Sequence, residues 1–471
     1  MRILLAVLLV FVSGTAVTAR SVESQIKRIL AKSAIMRAGY AGVVVLDEKG
    51  HAVVSINAGH LFTPASNTKL FSTALALERL GPNKTFETRV EMRGKDVVLV
   101  GAGDANLSGR VIPYVPDSHP GPALAVIDDL AGQIAARGIH SIEGNIVGDD
   151  TAFLYEPYAT SWTVEDTVDG DGPPASALAV NDNVVHLRIK PGDQLNAPAT
   201  AALDPDLPVF PLDAQVLTGP ENKVDSRRLS GGGALLVRGV VKAGVDVYSE
   251  EWSVGDPALF AAMALKDALV RRGIAMSGSV RAVHREEGVA FTPAAAGETI
   301  ARHVSPPLLE DLRVTNKISQ NLHADLFLSD VAGSRGAGLQ ALADFLSQIG
   351  IKPGETQFFD GSGLSRGTLV TPDAVVALLR YMGHSAHSEE WFTTLPIAGV
   401  DGSLEHRLEG KRTKGRIRAK TGTLGHVSAL SGYAEGRKEK RLTFSIFVNN
   451  TLASAEERTA LIDRICAELV K

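Results

Sequence analysis

The sequence predicts a multidomain α/β protein built on an antiparallel sheet flanked by helices. Its 471 residues exceed what one hydrophobic core normally holds, and at about 100–200 residues per domain two to four domains are expected. Three β-rich runs at 415–421, 427–435 and 441–449 follow one another across short turns and lead into a helix from Ala455, the pattern of an antiparallel sheet covered by a helix. Near the other end, β-rich runs at 39–46 and 51–57 flank Asp47-Glu48-Lys49-Gly50, a hairpin signal. Composition fits a folded, soluble chain: hydrophobic residues make up 45% and charged residues 21%. The 48 Lys and Arg against 53 Asp and Glu give a net charge of −5, which argues against nucleic acid as the main ligand.

The elements follow in order. Arg2, an unbroken apolar run at 3–12 and small residues at Val17 and Ala19 form the three parts of a secretory leader over residues 1–19, cleaved near Ala19. The run is too short for a permanent transmembrane helix, so an exported, periplasmic protein is expected. After the hairpin and Pro64, residues 67–80 read as a helix with Leu70, Ala74, Leu77 and Leu80 on one side. From 85 to 150 short strands alternate with glycine-rich turns, interrupted by a helix at 122–137. Residues 155–245 are rich in Pro, Gly and Asp and suggest a smaller, mostly β module. Asp256-Pro257 puts a cap and a first-turn proline where a helix to about Arg272 would want them. Further helices are expected at 308–332 and 337–348. The single cysteine, Cys466, rules out a disulfide framework and sits among Leu461, Ile462, Ile465 and Leu469 as a core residue.

Three motifs carry chemistry. Ser66-Asn67-Thr68-Lys69 begins the first helix, where the positive helix end favours a developing alkoxide. Lysine three residues on lies over the same face and can reach the hydroxyl, acting as a base if burial or a second cation keeps it partly neutral. The pattern alone is weak, since Ser24-Gln25-Ile26-Lys27 also matches it. Ser319-Gln320-Asn321 places a hydroxyl and an amide two residues apart, suited to proton relay and to holding a peptide carbonyl. Lys420-Thr421-Gly422-Thr423 falls on a predicted strand, where Gly422 permits close backbone approach and an open edge could pair with an extended peptide.

Their order is the signature set of the penicillin-recognising serine acyltransferases. The 252 residues between Ser66 and Ser319 far exceed the interval in compact β-lactamases. The chain therefore resembles the D-alanyl-D-alanine carboxypeptidase/endopeptidase family of penicillin-binding protein 4 type (peptidase family S13), whose extra domains lie between the first two motifs. Ser305-Pro306-Pro307-Leu308, Asp360-Gly361-Ser362-Gly363-Leu364-Ser365-Arg366 and the stretch from Leu395 to Leu404 are similar to that family as well. Ser403, where threonine is more usual, and the missing proline after Asp104 are departures outside the three motifs.

The resemblance implies a penicillin-binding, β-lactamase-like transpeptidase core with two nested inserted domains. The catalytic domain would be 20–83 plus 298–471, one insert 84–155 plus 246–297, and the inner, mostly β insert 156–245. It implies a serine peptidase of peptidoglycan stem peptides, removing terminal D-alanine and cutting D-Ala-diaminopimelate-type cross-links, and acylated by β-lactams. Ser66 would be the nucleophile, Lys69 its base, Ser319 the proton relay, and Lys420 the charge beside them. Asn321 would hold the acyl-chain amide. Lys420, Thr421 and Thr423 would hold the terminal carboxylate, with Gly422 letting the strand approach and the N–H groups of Ser66 and Thr423 forming an oxyanion hole. Arg366 and Asp150 would help form the side-chain pocket. No metal or organic cofactor is required. The sequence leaves oligomeric state and peripheral membrane contact open.

Competing readings are weaker. Gly363-Leu364-Ser365-Arg366-Gly367 imitates a hydrolase nucleophile elbow, but 368–372 is no helix start. Gly101-Ala102-Gly103-Asp104 reads as a turn rather than a dinucleotide site. His384, His387, Glu389 and Glu390 lack a metal-binding spacing, and His323 and His426 read as polar neighbours of the motifs. An esterase or β-lactamase on the same fold, or a non-catalytic envelope binding protein, are the alternative functions.

Overall fold

The computed structural model describes residues 13–229, 233–436 and 440–471, with side chains from residue 22 onward. The expected leader thus lies largely outside the described residues. Among the described residues no helix is long and apolar enough to cross a membrane. The chain divides into two compact units, one comprising residues up to Glu78, Leu312–Gln320 and Leu342–Lys471, the other Arg79–Asp311 and Asn321–Ala341.

In the first unit, β1 (Tyr40–Leu46) and β2 (Ala52–Ile56) form the expected hairpin, its turn tied by Asp47, whose carboxylate accepts the Lys49 and His51 N–H groups. The predicted helix at 67–80 begins differently: a 3-10 turn, Ala65–Thr68, precedes α1 (Lys69–Leu80). The residues expected as one helix over 308–332 form two, α2 (Leu308–Lys317) and α3 (Asn321–Ala332), the second lying in the other unit. Apolar spacing does not register the break. It falls at Ser319, whose backbone is left-handed with φ +66°, a conformation that costs a non-glycine residue about 1–3 kcal/mol. Interactions at the site hold it there.

Helices α4 (Pro372–Met382), capped by Thr371, and α5 (Ser388–Thr394) lead to β3 (Ile417–Leu424), β4 (Val427–Glu435) and β5 (Arg441–Asn449), all antiparallel. The chain ends in α6 (Ala455–Leu469), started by a capping box in which Ser454 and Glu457 exchange hydrogen bonds. The sheet order is β2-β1-β5-β4-β3, so β1 pairs with β5 and β3 is an edge. Val43, Val45, Leu430, Phe444 and Ile446 pack with Ile26 of the helix Ser13–Lys32 and with Leu461, Ile462, Ile465 and Cys466 of α6. Cys466 is the buried core residue expected. Helix α4 packs on β1 and β5, so the sheet is covered on both faces and its central strands are apolar nearly throughout.

The second unit has its own core. Its five-stranded sheet runs in the order Val280–Arg285, Ile146–Leu154, Asp96–Val100, Glu87–Arg93 and Glu298–Val304. Helices Ala125–Ala136 and Pro257–Arg271 bury Ile127, Leu130, Ile134, Phe260, Leu265 and Leu269 against it. The Asp256 carboxylate accepts the Leu259 N–H and caps the second of these, as its sequence signal suggests. Between 155 and 253 the described regular elements are almost all strands: Leu178–Val180 pairs with Asp104–Leu107, and two small three-stranded sheets each take in three of Val184–Lys190, Thr200–Asp204, Leu212–Gly219, Lys223–Arg228, Leu235–Lys242 and Tyr248–Ser253. Strand Glu298–Val304, expected with the catalytic part, pairs with Glu87–Arg93 here.

Candidate active site

The nucleophile candidate is set by strain at its own doorstep. Ala65 adopts a left-handed backbone (φ +48°) while wholly buried, and the Thr68 hydroxyl donates to its carbonyl at 2.9 Å. This tight turn leaves Ser66 half-buried at its apex. Lys69, on the first residue of α1 and fully buried, donates from Nζ to Ser66 Oγ at 2.9 Å. The same ammonium donates to the Ser362 carbonyl at 2.9 Å. Residues 360–365 press on the turn, and Gly363 (φ +82°) is obligatory because a Cβ there would lie 1.9 Å from the Ala65 carbonyl oxygen. The Asp360 carboxylate fixes this loop by accepting Gly363 N–H at 3.0 Å, Ser365 N–H at 2.7 Å and the Ser362 hydroxyl at 3.1 Å.

A second serine–lysine pair stands beside the first. Lys420, fully buried on β3, donates from Nζ to Ser319 Oγ at 2.9 Å and to the Thr421 carbonyl at 3.0 Å. Burial, and then the charge of Lys69, push the Lys420 ammonium well below the ordinary lysine range. The repulsion is mutual, so loss of a proton from either amine relieves both. The backbone before Ser319 is anchored by a buried ion pair, Lys317 Nζ to Asp401 Oδ2 at 2.5 Å. Burial, with the Arg418 and Arg313 charges, lowers Lys317 below its usual value although Asp401 pulls the other way. Asp401 also accepts the Ile397 N–H at 2.8 Å. With Lys317 drawn to Asp401 and the Ser319 hydroxyl to Lys420, the helix cannot continue through Ser319.

Strand β3 is half covered. Ala398 donates to the Ile417 carbonyl at 2.9 Å, and Ala419 donates to the Pro396 carbonyl at 3.0 Å. Continuing this alternation, the backbone groups of Thr421 and Thr423 face the same edge beyond that cover. Gly422 lets β3 meet the Ser66 turn: a Cβ would lie 2.6 Å from the Pro64 carbonyl oxygen, and Asn67 Nδ2 donates to the Lys420 carbonyl at 3.0 Å. Thr421 Oγ1 donates to Ser403 Oγ at 2.8 Å, so serine supplies the hydroxyl that a threonine at 403 would bring.

Five of the named residues, Ser66, Lys69, Ser319, Lys420 and Thr421, are joined by these bonds or by chain adjacency within the first unit. Gly422, Thr423 and Arg366 lie in the same unit, and Arg366 is exposed, with its guanidinium donating to the Leu364 carbonyl at 3.3 Å. Asn321 starts α3 in the second unit and donates to the Asp171 carbonyl at 2.8 Å. Asp150, buried in the second unit, accepts the Ser176 hydroxyl at 2.8 Å and bonds His284 Nδ1 at 2.9 Å, so both its oxygens are engaged. His323 is more than a polar neighbour: fully buried, it bridges Asp311 and Asp182. His426 (φ +65°) is a turn residue between β3 and β4 bonded to the Thr451 carbonyl. Ser365, the elbow imitation, is fully buried with no helix directly after it.

Sequence reasoning did not single out Asn67, the Ser362 carbonyl, or the Lys317–Asp401 pair. Asn67 and Lys317 stand inside or beside motifs, and their polar side chains in apolar contexts were the available signal. The Ser362 carbonyl is main chain and carries none.

The family model for the D-Ala-D-Ala carboxypeptidase 3 (S13) family matches residues 22–469. A D-alanyl-D-alanine carboxypeptidase of Actinomadura sp. (strain R39) is 33% identical over 441 residues, covering 87% of this chain and 77% of the relative. The crystal structure of penicillin binding protein 4 (dacB) from Haemophilus influenzae superposes with a TM-score of 0.78 at 22% identity, over 94% of this chain and 97% of that one; it has also been solved complexed with a β-lactam (TM-score 0.74). A predatory peptidoglycan endopeptidase from Bdellovibrio bacteriovorus gives a TM-score of 0.51 at 15% identity, over 92% of each chain. With the matched residues spanning all three motifs and nearly the whole described chain, this protein belongs to the D-Ala-D-Ala carboxypeptidase 3 (S13) family.

Proposed function

We propose that this chain is an exported serine DD-peptidase of peptidoglycan, acting in the periplasm both as a D-Ala-D-Ala carboxypeptidase and as an endopeptidase on cross-links. The observation that carries the reading is the paired geometry: Lys69 Nζ 2.9 Å from Ser66 Oγ, beside Lys420 Nζ 2.9 Å from Ser319 Oγ. Neutral Lys69 takes the Ser66 proton as Oγ attacks the carbonyl carbon of the penultimate D-alanine. The developing oxyanion accepts N–H groups of Ser66 and Thr423, each such donor being worth about 10²–10³ in rate. The C–N bond then breaks. Ser319 passes a proton to the departing amine and regains one from its lysine neighbours, leaving an acyl-Ser66 ester that water hydrolyses. Lys420 and Thr421 receive the terminal carboxylate, and Asn321 the acyl-chain amide. Asp150, whose oxygens are engaged elsewhere, is left out of the proposed substrate contacts, while Arg366 is kept as an exposed cation for the substrate side chain. β-Lactams would acylate Ser66 by the same attack.

One gel tests the mechanism. Fluorescent penicillin should label the wild type and Ser365→Ala, and fail on Ser66→Ala. Label surviving Ser66→Ala, or an unlabelled wild type, would sink it. Mass spectrometry of muropeptide products then separates loss of terminal D-alanine from cleavage of cross-linked dimers, and hydrolysis confined to esters or β-lactams would point to the other reactions of this fold.

A further inference from the structure

Upstream of the catalytic lysine, the sheet face that bears Lys420 carries a cleft of about 370 Å³ that the mechanism does not use. Arg416, Arg418 and Arg441 line it, with Phe392 and Thr393 from α5 and Tyr433 from β4. Arg418 and Lys420 are two residues apart on β3 and so point to one face. At about 3.3 Å per residue, Arg418 and Arg416 stand roughly 7 and 13 Å from Lys420 along the strand. The guanidinium of Arg441 lies 4.3 Å over the Phe392 ring, and Phe392 packs on Tyr433 with ring centroids 4.7 Å apart. Among the described residues, Arg416 donates only to carbonyl oxygens, those of Val470 (3.2 Å) and Gly436 (2.9 Å) among them. Glu389 and Glu435 also border the cleft. Yet among the described residues none of the three guanidiniums has a carboxylate within ion-pair distance, although this chain pairs many of its other arginines. Arg416 and Arg418, both half-buried, and Arg441, exposed, are three cations without a carboxylate at ion-pair distance among the described residues, and together they favour an anionic visitor.

The direction along β3 indicates which one. In the proposed mechanism Thr423 serves the oxyanion, Ser319 and Lys420 serve the departing amine, and Arg418 follows on the same line. The leaving half of the substrate therefore faces the arginines. A carboxypeptidase substrate ends there, because its leaving group is one D-alanine whose carboxylate Lys420 and Thr421 take. A cross-linked substrate continues with a second stem peptide bearing further carboxylates. We propose that the Arg416–Arg418–Arg441 cleft binds a carboxylate of the leaving stem peptide and so gives the enzyme its grip on cross-linked substrate. This rests on the endopeptidase reading above.

The test compares a cross-linked muropeptide dimer with the uncross-linked pentapeptide monomer, using full-length wild type, Arg418→Gln/Arg441→Gln and Arg418→Lys. Fluorescent-penicillin acylation of each is the folding control. The double variant should lose about 10- to 100-fold in kcat/KM on the dimer, mostly through KM, as expected for losing charge-assisted hydrogen bonds. It should keep monomer turnover and penicillin acylation within about twofold, and Arg418→Lys should retain most dimer activity. Raising salt should weaken dimer cleavage more than monomer cleavage. Unchanged dimer kinetics, or equal losses on both substrates, overturns the cleft assignment alone. A wild type that is acylated and trims the monomer but never cuts the dimer overturns the endopeptidase reading and the cleft with it.

Discussion

His323 offers a quantitative check on how the start of α3 is held. Its imidazole is fully buried between Asp311, on α2, and Asp182, and Asp182 also pairs with Arg110. Burial alone would push the imidazole toward the neutral form, but the two carboxylates outweigh it and raise its pKa from 6.5 to about 9. A folded value that far above the free one corresponds to roughly 3 kcal/mol of stabilisation of the folded second unit. Because the folded value is the higher one, that contribution is complete below pH 6.5 and fades as pH rises through about 9. His323→Phe keeps the ring and removes both bonds, leaving two carboxylates facing an apolar edge. Urea unfolding followed by fluorescence can read it, since Trp162 and Trp252 lie in the second unit and Trp391 in the first. The expected deficit of the variant is about 3 kcal/mol at pH 6, clearly smaller at pH 10. A deficit of the same size at both pH values, or none at pH 6, would refute the charged bridge.

Other consequences follow from the first unit. Lys317→Met strands Asp401 in a nearly dry setting and should cost about 3–5 kcal/mol; thermal unfolding should register it, and Lys317→Met/Asp401→Leu should recover part, whereas strict additivity would count against the strut. Gly422→Ala forces its new methyl against the Pro64 carbonyl and should cut penicillin acylation by more than tenfold while far-UV circular dichroism stays native. Carboxylate binding that needs protonated Lys420 should weaken on the alkaline side well before pH 10.5, the ordinary lysine value, because burial and Lys69 lower it. Pentapeptide kcat/KM against pH would show that limb, and Lys420→Arg should displace it upward.

Much of this was legible from residue order. The 39–57 hairpin, the three final strands and the closing helix announce themselves through alternation and turn chemistry, and the long Ser66-to-Ser319 interval points to chain inserted into a core. What stayed hidden is tertiary. The spacing of Leu308, Leu312, Leu322 and Leu326 suits one unbroken helix, and only the pulls of Asp401 on Lys317 and Lys420 on Ser319 break it. The left-handed Ala65 is likewise invisible, because alanine is the last residue to advertise a positive φ. Nor does residue order show that Asp150 bonds His284 and Ser176, partners 134 and 26 residues away along the chain.

The short cover over β3 has a consequence for life in a crowded compartment. An open sheet edge recruits any extended chain, including another copy of itself. Residues 396–398 close the upstream half of that edge, leaving a docking length of about three residues from Thr421. A stem-peptide end can be read over that length, whereas a stray β-strand gains too few ladder bonds to stay. Selectivity against the protein's own kind is thus built from the same few main-chain bonds that leave room for substrate.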